Sequence, residues 1–225
     1  MLEEACERAG RLDDAISLID ELLSCSHSLR DPFSSVAGKA ISFSPERMRR
    51  HRAELLRQAG RLDEAQEAAS RGLRSRKTRP EWLSLAAEVL QDKGRTEEAR
   101  TLWREWLAVE QKSLAKASTP SAKYSFGWAV ALGHARLGEK DLARAAIAQA
   151  PALPESTPTY ALLWVEAPAL VALQDWERIA ELLRRHSTDK DAFYFYDPCS
   201  RPELAPMRAV ARYAELFSRC PPAKP

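Results

Sequence analysis

The sequence predicts an all-α protein, an α-solenoid of about five helix hairpins ending in a C-terminal cap helix. Three observations carry that expectation. A turn residue followed five places later by a small residue recurs along the chain. Apolar residues beside each turn fall on one helix face. The 225 residues are 45% hydrophobic and 29% charged, the balance of an ordinary globular chain with enough apolar content for a real core.

Five segments share the turn pattern: GRLDDA at 10–15, GRLDEA at 60–65, GRTEEA at 94–99, GEKDLA at 138–143 and DWERIA at 175–180. Four of the eight glycines stand at these turns, and Gly60 to Gly94 is a step of 34 residues. The other steps are longer, so the array is degenerate and carries insertions. After Gly10 the helix face reads Ala15, Leu18, Ile19, Leu22 and Leu23, and after Gly94 it reads Ala99, Leu102, Trp103, Trp106 and Leu107. The glycine supplies the left-handed residue that ends one helix. The acids behind it suit the positive N-terminus of the next, and the alanine is small where two antiparallel helices approach. At the fifth turn Asp175 replaces the glycine.

Taken in order, residues 1–25 form a partial first repeat, whose short first helix suggests a chain that begins upstream. Residues 26–45 break the period with Ser, Gly and Pro and are expected to be a loop or irregular insert. Helix hairpins follow at 46–79, 80–114, 122–153 and 159–186, the first opened by Ser44, Pro45 and Glu46. Residues 116–123 read as a linker, and Pro168 should kink the helix around it. The stretch 187–225 holds the aromatic run Phe193 to Tyr196, a capping box from Ser200 to Glu203 and a last helix from Pro206 to Phe217.

With Pro80 opening the unit, Trp82, Gly94, Ala99 and Trp103 in register, the chain resembles the tetratricopeptide repeat family across roughly 1–25 and 46–186. The resemblance implies an α-solenoid that binds peptides or proteins on a concave surface. Ala69 stands where the family has a bulky residue, and Arg50 and Glu54 stand where its carboxylate-clamp members have Lys and Asn. Chaperone-tail binding is therefore not carried over. The short stretch Arg201 to Arg208 is similar to the ends of bacterial signalling proteins in which a repeat array follows a kinase, cyclase or winged-helix domain. This makes a regulatory or sensor module an alternative.

In such a solenoid the first helix of each hairpin lines the groove. That places Arg47, Arg50, Glu54 and Arg57, then Glu81, Ser84, Glu88 and Gln91, then Ser125, Trp128, Leu132 and Ala135, and finally Leu162, Val165, Ala169 and Ala172 along it. The groove runs from charged to apolar, and the apolar end needs a cover. Residues 187–201 are the expected cover, and a bound small molecule there is a further alternative. Residues 46–79 carry eleven Arg and Lys against five Asp and Glu. A solvated basic face explains that excess. The functional alternative is an acidic peptide or phosphate on Arg47, Arg50 and Arg57.

No phosphate-cradling loop, nucleophile elbow or zinc-protease motif is present, so no enzyme and no cofactor are expected. The basic run lacks interleaved aromatics, which argues against nucleic acid. The four cysteines and four histidines are scattered, so no metal site is expected and the thiols should be free. Without an apolar run of spanning length or a secretory leader, the expectation is no membrane and a cytoplasmic protein, and the 25 Arg against 9 Lys suggest a GC-rich, bacterial gene.

Overall fold

The computed structural model describes residues 12–26, 45–75, 79–153, 157, 159–187, 199 and 202–218, and every element among them is helical. Helices α1 (Leu12–Ser26), α2 (Pro45–Gln58), α3 (Leu62–Leu73) and α4 (Arg79–Asp92) precede the long α5 (Thr96–Lys116). Then come α6 (Pro120–Arg136), α7 (Lys140–Gln149), α8 (Thr159–Leu173) and α9 (Trp176–Ser187). The chain divides into two compact units within α5, between Leu102 and Trp103. The protein is all-α.

The turns repeat to the hydrogen bond. Gly60 N–H donates to the Arg57 carbonyl and Arg61 N–H to that of Leu56, and the same pair of bonds recurs at Gly94, Gly138 and Gln174. This is the Schellman ending, in which a left-handed residue lets the chain turn back on the last carbonyls. The φ angles are 75°, 74° and 84° at the three glycines and 59° at Gln174. The fifth turn residue is thus Gln174 rather than Asp175, which shifts the register by one. The buried residue five places on is then Ile179, matching Ala65, Ala99 and Ala143, all 0–2% exposed. Asp175 instead accepts from the Arg178 backbone N–H at 3.3 Å, the work of a helix N-cap.

Inside the first unit, Ile16 and Ile19 of α1, Leu55 and Leu56 of α2, Ala65 of α3 and Trp82 and Leu85 of α4 form one core. Ala69 is buried in it. Inside the second, Trp128 of α6, Leu163 and Leu170 of α8 and Ile179 and Leu183 of α9 form another. Leu204, Met207, Tyr213 and Phe217 join that cluster. These residues cover the second core among the described ones, while the expected cover, residues 187–201, lies outside them apart from Ser187 and Cys199.

Several boundaries differ from expectation. The linker at 116–123 shrinks to 117–119, because Thr119 caps α6 through a 3.2 Å bond from Ala122 N–H and Pro120 opens the helix. The last helix is a 3₁₀ turn (Pro202–Leu204), one α turn (α10, Ala205–Arg208) and a second 3₁₀ stretch (Ala211–Phe217). Its apolar positions Leu204, Met207, Tyr213 and Phe217 do not keep one α-helical face. Pro168 stands inside α8, as the sequence places it. Cys199 is disulfide-bonded rather than free, since folding can join thiols that sequence spacing leaves far apart. Of the insert at 26–45, Ser26 closes α1 and Pro45 opens α2; residues 27–44, the aromatic run at 193–196 and Ser200 of the capping box lie outside the described residues.

Candidate functional site

Two places gather chemistry, one in each unit. The first is the charged face of α2 and α4. Both helices turn a row of long polar side chains outward while their apolar rows meet α1 and α3. Arg57 pairs through Nη1 with Glu88 at 2.7 Å and through Nε with Asp92 at 2.5 Å. Arg50 donates from Nε to the Glu81 carbonyl at 2.9 Å and pairs with Glu54 at 2.9 Å. Arg47 and Glu81 are exposed, and Ser84 is half-buried.

Of the groove positions the sequence places, the structure thus joins Arg50 with Glu54 and Glu81, and Arg57 with Glu88. Arg57 meets two acids of α4 and Arg50 a backbone carbonyl of α4, so that both hold α2 against α4. Sequence reasoning missed Asp92, although it stands one helical turn beyond Glu88 on the same face. Each such half-exposed pair is worth about 0–1 kcal/mol. Their joint effect is to fix the register of α2 on α4.

Trp128, also expected to line the groove, is 2% exposed and belongs to the core of the second unit. It offers no surface platform, because α6 turns this face onto α8 and α9. Its indole instead walls the second place, a cavity of about 320 Å³ also lined by Tyr124, Ile147, Leu153, Leu162, Glu166 and Arg178. Among the described residues Glu166 is the one charged side chain that is buried, at 5% exposed. The Tyr124 hydroxyl donates to its Oε1, and Arg178 Nη2 donates to its Oε2 at 3.0 Å. A buried carboxylate needs such partners.

Arg178 also lies over the Trp128 ring, its Cζ 4.9 Å from the centroid, which orients the guanidinium by cation–π attraction. Burial, and then the hydrogen bond to Glu166, push the Tyr124 phenol well above its usual pKa. The sequence signal for this site was a lone acid in the otherwise uncharged run from Tyr160 to Leu173.

No group of His, Cys, Asp and Glu among the described residues is arranged to hold a metal ion. None of the described helices is long and apolar enough to cross a membrane. Against known proteins, no family model matches the chain, and no curated protein or solved structure matches it either.

Proposed function

We propose that the chain is a non-catalytic protein–protein interaction module of tetratricopeptide-repeat type, which docks a partner peptide or protein on the outward face of α2 and α4. The observation that carries this reading is the repetition of one helix-ending motif at Gly60, Gly94, Gly138 and Gln174. Stacked hairpins of one register present parallel helix faces, and such faces bind extended partners. The docking positions are Arg47, Glu81 and Ser84, which flank the ion pairs of Arg50, Glu54, Arg57 and Glu88. A partner of mixed charge fits this face better than a purely acidic one, since Arg57 is already paired with Glu88 and Asp92 of α4 and Arg50 with Glu54 of its own helix. A bacterial cytoplasmic setting rests on composition, and the Cys199 disulfide weighs against it.

The test places a photocrosslinking residue at Ser84 and, as control, at exposed Arg100 on α5. The reading expects one reproducible protein partner captured from Ser84 in the native cell, not from Arg100, and lost with Arg47→Glu. Equal capture from both positions overturns it.

A further inference from the structure

The stretch 202–217 is held to the second unit more by what it buries than by its own structure. Leu204, Met207, Tyr213 and Phe217 are 0–8% exposed and belong to the second core. They are carried by a 3₁₀ turn, the single α turn α10 and a second 3₁₀ run, pieces too short to stand as helices without packing. The first turn packs on α8 and the last run on α9. The ion pairs to α9, Arg212 with Glu177 at 2.9 Å and Arg184 with Glu215 at 3.9 Å, are exposed and contribute little. The Tyr213 hydroxyl adds one 2.8 Å bond to Glu177.

A covalent tie stands at the head of this stretch. Cys199 is disulfide-bonded, and its carbonyl accepts from Arg208 Nη1 at 2.9 Å. The disulfide pins residue 199, and residue 199 is bonded to the α turn that seats Met207. One crosslink therefore restrains the middle of the cap as well as its start. Cys199 is half-buried, within reach of a small thiol.

We infer that the Cys199 disulfide is a redox latch. Closed, it keeps residues 202–217 on α8 and α9. Opened by a small thiol such as glutathione, it lets them detach and lays bare the apolar side of both helices. The step is thiol–disulfide exchange through a mixed disulfide. Two thiols of the reductant become one disulfide, and the protein's disulfide becomes two thiols, with two electrons and two protons passing across. The latch acts through the anchorage of Cys199, whichever of the other three cysteines supplies the second sulfur. It stands apart from the docking face of α2 and α4, so its failure leaves that reading untouched.

Hydrogen exchange of the full chain, read by mass spectrometry before and after treatment with millimolar reduced glutathione, tests the latch. Reduction should speed exchange at 204–217 by about tenfold or more, well within the worth of a disulfide, and leave α4 unchanged. Cys199→Ser should show the fast exchange without reductant and no response to it. Should that variant fail to fold, reduction of the wild type decides, since it changes no residue. A disulfide that glutathione leaves intact is a permanent staple and overturns the proposal. So does reduction that leaves 204–217 protected, a rise in exchange that is equal in α4, or a Cys199 that alkylates before any reductant is added.

Discussion

The indole of Trp82 fills the space that a side chain at residue 72 would need. A Cβ placed on Gly72 would fall 2.1 Å from Cδ2 and 2.2 Å from Cε2 of that ring. Trp82 is 2% exposed, and its Nε1 donates to Glu46 at 2.7 Å, so the ring is anchored at its polar edge and cannot easily withdraw. The small residues Ala69 and Gly72 of α3 and the large Trp82 of α4 are thus complementary parts of one core. The bulk missing from α3 at residue 69 is supplied by α4.

Gly72→Ala should therefore destabilise the chain by about 1–3 kcal/mol through overpacking. Trp82→Leu alone should also destabilise it, by loss of buried area. The double variant should lie well above the sum of the two, since each change removes the other's clash or void. Chemical denaturation of the four proteins checks this. Strict additivity would mean the two residues do not constrain each other.

The left-handed turns make a second comparison. Nothing lies within 4 Å of a Cβ added at Gly60 or Gly94, so Gly→Ala there meets only conformational strain, about 1–2 kcal/mol. The stiffer unfolded chain returns about 0.5–1 kcal/mol of it. Gln174 already carries that strain at φ 59°. Gln174→Gly should leave stability unchanged or raise it by up to about 1 kcal/mol, while Gly60→Ala lowers it. Opposite signs in thermal melts would support a shared turn geometry. A loss at both positions would break the equivalence.

What the sequence made legible follows from which interactions leave a mark in one stretch of chain. Three of the turns were legible because a positive φ selects glycine, and the buried alanines because close helices exclude larger residues. The fifth turn was misplaced by one residue. Gln at a left-handed position carries no such mark, while the adjacent Asp looks like a turn former and serves as a cap. That Arg47, Arg50, Glu54 and Arg57 share one face of a helix was legible. Their partners were not, since Glu88 and Asp92 lie 31 and 35 residues from Arg57 and only the packing of α2 on α4 brings them near. Trp128 was assigned by register alone, which says which helix face a residue occupies but not what covers that face.

Those ion pairs make Arg57 a test of helix register. Arg57→Glu sets a third acid against Glu88 and Asp92 and should lower stability, more at low salt than at high. Adding Glu88→Arg restores an opposite pair and should recover part of the loss, on the scale of about 1 kcal/mol for exposed pairs. Urea midpoints at two ionic strengths check this. A loss that is insensitive to salt and not recovered by the swap would assign Arg57 a packing role instead.

Tyr124 ties the second core to pH. Burial and Glu166 raise its phenol above the usual value, so the folded state holds this proton more tightly than the unfolded chain does. The stability it contributes is fully present below the unfolded pKa of about 10 and is lost as pH rises through the folded one. Tyr124→Phe removes that titration together with one donor to the buried Glu166. At pH 8 the variant should be less stable by about 1–3 kcal/mol, the cost of leaving a buried acceptor short of a partner. Above pH 10 the wild type should lose stability faster than the variant, and the two curves should converge. The slope should shrink rather than vanish, because burial and Glu177 also raise the Tyr213 phenol, which adds a term of the same sign. Parallel curves from pH 8 to pH 11 would show that Tyr124 does not carry the alkaline sensitivity of this unit.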